Sequence, residues 1–152
     1  MNARPMQTLV GSCHCQRVRF TIETDFPELR PERSAYEVAQ SRPEYEPPTL
    51  RSSTGASLRR LTTCDCSICR RKNALMVKVH ESQFTLLAGA DVLTEYQCHT
   101  RTARHYFCAS CGIYPFHRKR VTPDFVGVNV YCLNGFDPTG IPVRATRGAA
   151  MD

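Results

Sequence analysis

The chain has 152 residues, of which 41% are hydrophobic and 22% are charged. This length allows one domain with its own core, and the composition is normal for a globular protein. No apolar run approaches the ~20 residues that a membrane-spanning helix requires, so an integral membrane protein is not expected. We therefore predict one domain over residues 1–152 and no membrane partner.

The net charge of +6 reflects 20 Lys and Arg against 14 Asp and Glu. A basic chain of this kind suggests nucleic acid as one possible partner. The basic residues are scattered, however, and the densest groups are only Arg70-Arg71-Lys72 and Arg118-Lys119-Arg120. They form no stripe with interleaved aromatic residues, so nucleic-acid binding is not expected and a small anionic molecule suits the charge equally well.

Short strands dominate the predicted secondary structure. In residues 17–23, RVRFTIE, Val18, Phe20 and Ile22 alternate with polar residues, as in a strand buried on one face. Residues 27–60 contain five of the ten prolines and many charges, which predicts an irregular insertion. Strand-like segments then follow in the order ALMVKVH, FTLLAG, VLTEYQC, ARHYFC, IYPFHR and FVGVNVYCL. The fold class is therefore mainly β, with a tail that is expected to be loose after about residue 143.

Nine cysteines are the most informative feature of the chain. The N-terminal segment has no apolar stretch of signal-peptide length, so we expect a cytoplasmic protein, in which metal or redox chemistry is commoner than a disulfide framework. Seven cysteines fall into three groups: Cys13 and Cys15; Cys64, Cys66 and Cys69; Cys108 and Cys111. The other two, Cys98 and Cys132, are expected to pack as small apolar side chains.

The spacings within the groups suit a metal. In an extended strand, C-x-C presents two sulfurs on the same face, whereas C-x-x-C bends around a metal in a turn, for which Gly112 is expected to supply a positive φ. Zinc bonded to sulfur at about 2.3 Å in a tetrahedron places neighbouring sulfurs about 3.8 Å apart. Both spacings can meet that requirement.

Spacing alone leaves several arrangements open. Two pairs can form a closed structural zinc site, leaving the three-cysteine group as a site with a free fourth position. The three cysteines can instead share one site with a distant fourth residue, or a single structural zinc can be accompanied by packed cysteines. A dithiol redox motif is less suitable, because no helical pattern follows Cys111. Among the histidines, His105 is a weak candidate for the site because it precedes Cys108 closely.

The ordered motifs resemble those of the glutathione-dependent formaldehyde-activating enzyme family, which includes centromere protein V. The resemblance rests on GSCHC followed by VRF, on CDCSICRR, on FTLLAG leading to EY, on HYFCASCGIYPF and on VNVYCL. It covers residues 11–24 and about 61–138, and it implies a β-tent fold with two zinc ions. By position, it implies a structural zinc on Cys13, Cys15, Cys108 and Cys111, and a second, open zinc on Cys64, Cys66 and Cys69.

The resemblance also implies a carbon-sulfur lyase activity, the condensation of glutathione with formaldehyde to S-hydroxymethylglutathione. The three ligands of the open zinc would form the catalytic centre, and Arg70, Arg71 and Lys72 are candidates to bind glutathione carboxylates. The expected partners are therefore a small thiol and a small aldehyde. The alternative is a zinc-stabilised binding module without catalysis.

Three positions depart from the family pattern. Gln16 and Asn73 stand where many relatives have glycine, and Asp65 stands where many have histidine. Asp65 adds negative charge beside a centre of three thiolates, so this departure concerns the choice of substrate more than the binding of zinc.

Overall fold

The computed structural model describes residues 5–25 and 61–151, so the predicted insertion at 27–60 lies outside the described residues. Helix α1 covers Ser67–Lys72, and 3-10 turns lie at Glu81–Gln83, Val130–Cys132 and Gly148–Met151. None of these helical segments is long and apolar enough to cross a membrane. The strands are β1 (Gln7–Ser12), β2 (Arg19–Thr24), β3 (Leu61–Cys64), β4 (Met76–His80), β5 (Phe84–Ala88), β6 (Leu93–Tyr96), β7 (Arg104–Cys108), β8 (Phe116–Arg118), β9 (Phe125–Asn129) and β10 (Val143–Thr146).

The strands form two sheets. The smaller sheet has the order β1-β2-β5, and the larger has the order β10-β3-β4-β9-β8-β7-β6. Neighbouring strands are antiparallel except β10 and β3, which are parallel. The predicted mainly β fold of short antiparallel strands is therefore confirmed.

The core lies between the two sheets, as the alternation in residues 17–23 predicts. Val18, Phe20 and Ile22 are fully buried. The Phe20 ring stacks on Phe84 of the smaller sheet at 5.5 Å and meets the edge of Phe116 of the larger sheet at 5.6 Å, measured between ring centroids. Offset and edge-on aromatic contacts of this kind add to the free energy gained by burying the rings.

The prediction of a loose tail after residue 143 is wrong. Strand β10 pairs in parallel with β3, from Val143 beside Leu61 to Thr146 beside Cys64. The Thr146 hydroxyl also donates a hydrogen bond of 2.7 Å to the carbonyl oxygen of Thr63. Four residues are too few to predict a strand, and the order of this segment comes from pairing with a strand far earlier in the chain. This pairing brings the C-terminal segment to the three-cysteine group.

Candidate metal centre

The first cysteine cluster joins the two sheets. Cys13 and Cys15 lie in the turn between β1 and β2, whereas Cys108 ends β7 and Cys111 lies in the turn that follows. The four sulfurs lie within 4.8 Å of one another, with 3.6 Å between Cys13 and Cys15 and 3.7 Å between Cys15 and Cys108. These separations match the ~3.8 Å expected around tetrahedral zinc, so this donor set fits a closed zinc site.

Two backbone turns shape the first cluster. The C-x-C segment is expected to be an extended strand, but it forms a turn. In this turn the Gln16 N–H donates to the Cys13 carbonyl at 3.1 Å. Gln16 has a φ of 64°, a left-handed conformation that glycine adopts at least cost. On the other side, Gly112 takes the predicted positive φ, 75°, and its N–H donates to the Cys108 carbonyl at 2.7 Å.

The second cluster lies where a strand meets the helix. Cys64 ends β3, Cys66 occupies the N-cap position of α1, and Cys69 lies within α1. Their sulfurs also lie within 4.8 Å of one another, and no further His, Cys, Asp or Glu of the described ranges joins the group. All three residues line a cavity of about 400 Å³. This donor set therefore fits zinc held by three thiolates, with a face directed to the cavity.

Comparison with known proteins agrees with this geometry. Residues 51–144 match the family described as glutathione-dependent formaldehyde-activating enzyme, and this span includes five of the seven clustered cysteines. The chain belongs to this family. A crystal structure of a Rhodobacter sphaeroides protein is also similar, with 33% sequence identity and a TM-score of 0.60 over 89% of this chain and 99% of that chain. The family is generally enzymatic and acts on small molecules, and both cysteine clusters of this member suit zinc.

All nine cysteines are unpaired in this family member. Cys98 and Cys132 belong to neither cluster. Cys132 is buried, as expected for a packed thiol, whereas Cys98 is half-buried and lines the same cavity as the second cluster.

The thiols of the second cluster have unequal acidities. Burial raises the pKa of Cys69 to about 12. For Cys64, burial acts in the same direction but is outweighed by hydrogen bonds, among them those from the backbone N–H groups of Cys66 and Gly148, so the net shift of the pKa is downward. A bound zinc ion would hold all three as thiolates, because a coordinating thiol is deprotonated.

The C-terminal segment packs directly on the second cluster. A Cβ atom placed on Gly148 would lie 2.2 Å from the Cys64 sulfur and 3.1 Å from the Cys66 Cβ. The Asp65 N–H donates to the Thr146 carbonyl at 3.2 Å, and the Asp65 carboxylate accepts a hydrogen bond of 2.9 Å from the Ala149 N–H. Asp65 is thus hydrogen-bonded to the C-terminal segment and does not line the cavity. Its negative charge therefore does not face a ligand in the cavity.

Gly148→Ala is therefore expected to displace the Cys64 sulfur and weaken zinc binding at the second cluster about 10–100-fold, as loss of a supporting contact does in other zinc sites. Competition with a chromophoric chelator measures the affinity of each zinc ion. The control is Ala145→Val, which adds bulk at an exposed position of β10 and should leave both zinc ions bound. Equal zinc affinities in the two variants would contradict the predicted role of Gly148.

The structure separates the three members of the basic triplet. Arg70 and Arg71 are exposed, and the Arg71 guanidinium returns to its own helix, donating to the Ser67 carbonyl at 3.2 Å and hydroxyl at 2.7 Å. Neither arginine lines the cavity, whereas Lys72 does. The Lys72 Nζ lies 3.2 Å from the His105 Nδ1 and 3.6 Å from the centroid of the Tyr114 ring. Only one of the three predicted basic residues therefore faces the second cluster.

No pattern in the sequence indicates that aromatic groups surround Lys72, although His105 is a weak candidate for the site. The Tyr114 hydroxyl lies 3.0 Å from the His105 Nδ1, and the His117 ring stacks on His105 at 5.4 Å. Burial and the neighbouring Lys72 lower the pKa of His105 to about 4, so this imidazole is neutral at pH 7 and its Nδ1 can accept from the ammonium. His105 and His117 are direct partners in the pairing of β7 with β8, which places both side chains on one face. His105 belongs to neither cysteine cluster.

Proposed function

We propose that the chain is a carbon-sulfur lyase that condenses a thiol, with glutathione as the leading candidate, with formaldehyde or another small aldehyde. The observation that carries the proposal is a group of three unpaired cysteines on the wall of a cavity, with no fourth donor in the group among the residues described. Three protein ligands are typical of catalytic zinc, whereas four are typical of structural zinc. Membership of the family supports the same assignment.

The two clusters would have different roles. Cys13, Cys15, Cys108 and Cys111 would hold a structural zinc ion, and Cys64, Cys66 and Cys69 would hold the second. The second zinc, when bound, supplies a free position that accepts a substrate thiol and keeps it deprotonated. The three cysteines fix where the substrate sulfur lies. The proposal places the chain in the cytoplasm, where these thiols remain reduced.

The reaction needs no oxidant or reductant. The substrate sulfur attacks the aldehyde carbon, so a carbon-sulfur bond forms while the π bond of the carbonyl breaks. The carbonyl oxygen takes up one proton, which balances the proton that the thiol gives up. The apolar side chains of Ile68 and Met76 line the same cavity, and Lys72 is held there by His105 and Tyr114. These residues limit the water around the reacting atoms and leave a cation beside them.

The test combines metal analysis with spectroscopy on the purified protein. We expect two zinc ions per chain, and titration with glutathione should add one sulfur ligand to one of them, as seen by zinc-edge absorption. NMR exchange with ¹³C-formaldehyde should show S-hydroxymethylglutathione forming faster than in the uncatalysed mixture. One zinc ion per chain, unaffected by Cys64→Ser, would instead support a binding module without catalysis.

A further inference from the structure

The cavity beside the second cluster has a strongly positive wall. Its described lining contains no Asp or Glu, but it contains four cations, namely Lys72, Lys119, Arg120 and Arg147. The volume of about 400 Å³ lies within the range of small-molecule sites. The ligand of this cavity is therefore expected to be small and negatively charged.

Two of the cations are held away from water. Lys72 and Lys119 are half-buried, and desolvation lowers the pKa of both, that of Lys72 to about 8. Within the described ranges, neither lysine forms an ion pair with a carboxylate. The nearest anionic groups to both lysines are thiols of the second cluster. A partly buried ammonium without a carboxylate partner is stabilised by an anion that enters the cavity.

Side-chain contacts hold Lys72, and a backbone hydrogen bond positions the start of the Lys119 side chain. Lys72 ends α1 against His105 and the Tyr114 ring, as described above. Lys119 follows β8 directly, and its backbone N–H donates to the Phe125 carbonyl at 3.2 Å. The nearby Lys78 lies over the Phe125 ring, with its Nζ 4.1 Å from the centroid, and adds a further positive charge. Both lysines thus reach the cavity from rigid elements.

The zinc cluster would not neutralise this wall. Three thiolates around Zn²⁺ carry a net charge of minus one, which is smaller than the charge of Lys72 and Lys119 together. The remaining positive charge is available to the part of the ligand that does not bind the metal. In small thiols, carboxylates are the common groups that supply the complementary negative charge.

We propose that Lys72 and Lys119 form an anion subsite that binds a carboxylate of the substrate thiol, which makes the chain selective for thiols that carry carboxylates. This inference rests on the proposed function for the position of the sulfur. It assigns carboxylate binding to Lys119, although this residue is not adjacent to the cysteines in the sequence. It excludes Arg70 and Arg71 from carboxylate binding, because they lie outside the cavity.

The test measures binding to the zinc-loaded protein by calorimetry. Glutathione and mercaptosuccinate carry carboxylates, whereas 1-thioglycerol is neutral. We expect the two acids to bind at least about tenfold more tightly than 1-thioglycerol, as one charge-assisted hydrogen bond supplies. Lys119→Met should remove about that factor for the acids and leave 1-thioglycerol unchanged, and Lys119→Arg should retain most of it. Lys72→Met should weaken the acids more than it weakens 1-thioglycerol, because Lys72 also lies beside the second cluster.

Arg70→Met is the matched control, because it removes an exposed cation from the same helix as Lys72. It should leave all three affinities unchanged. Zinc content and melting temperature establish that each variant is folded. The subsite is wrong if Arg70→Met weakens the acids as much as Lys119→Met does, or if Lys119→Met weakens 1-thioglycerol equally.

S-methylglutathione separates the subsite from the proposed reaction, since it keeps the carboxylates but has no free thiol. Weaker binding of this probe to Lys119→Met than to the wild type supports the subsite even where no condensation is detected, in which case the proposed function fails alone. Condensation that proceeds equally well with neutral thiols and with Lys119→Met overturns the subsite alone. Absence of any S-methylglutathione binding to the wild type also overturns it.

Discussion

Cys66→Ser is expected to lower the zinc content from two ions per chain to one and to abolish condensation, while the fold persists. Cys66 is one of only three donors in its group in the part of the chain that the structure describes, so no other cysteine there can replace it. Loss of an outer contact already costs 10–100-fold in zinc sites, so loss of a ligand should lower the rate by at least about 100-fold. Metal analysis and the NMR exchange assay measure the two effects.

Cys98→Ser provides the matched control for Cys66→Ser. It makes the same chemical change on the wall of the same cavity, but Cys98 belongs to neither cluster. This variant should keep two zinc ions and a rate close to that of the wild type. Full zinc content and a full rate in Cys66→Ser would show that the three-cysteine group is not the reaction centre.

Cys108→Ser is expected to have the largest effect on stability. Cys108 is fully buried at the end of β7, and its cluster connects the β1-β2 turn of the smaller sheet to the larger sheet. A structural zinc ion contributes about 10–16 kcal/mol in small domains, which is comparable to the whole unfolding free energy of about 5–15 kcal/mol. We expect the first zinc to be released and the melting temperature to fall by more than about 10 °C. Circular dichroism and zinc release during heating measure both.

Cys132→Ser controls for the loss of a buried thiol as such. Cys132 is also buried, but it lies outside both clusters. The Cys132 thiol donates to the Tyr114 carbonyl at 3.9 Å, and the shorter serine side chain would leave this buried site less well satisfied, at a cost of about 1–3 kcal/mol. The melting temperature should therefore fall by less than in Cys108→Ser. Both zinc ions should remain. Equal losses of stability with unchanged zinc content would contradict a structural role for the first cluster.

Local patterns explain which parts of the fold can be predicted from the sequence. The alternation of Val18, Phe20 and Ile22 is a property of a single segment, and burial follows it directly. Strands β3 and β10 escape prediction because four residues are too few to show a pattern. Strand β1 escapes it because Leu9 and Val10 stand side by side and interrupt the alternation of apolar and polar residues. Strand β10 in particular is ordered by parallel pairing with β3, which no pattern within its own residues can reveal.

The candidate site also has parts that local sequence patterns predict and parts that they do not. Each cysteine group is visible in the sequence because its members lie close together along the chain, and the resemblance supplied the pairing that brings Cys13 and Cys15 to Cys108 and Cys111. The basic triplet is different, because successive residues of a helix point about 100° apart. Adjacency to the third cysteine therefore does not distinguish Lys72, which lines the cavity, from Arg70 and Arg71, which do not.

Strand β7 connects the two clusters, because it carries His105, which holds Lys72 in the cavity, and ends at Cys108 of the first cluster. Pairing with β6 and β8 places the strand in the sheet, and a metal ion on the first cluster would fix its end. Loss of that ion is therefore expected to loosen the cavity wall at Lys72 as well as the connection between the two sheets.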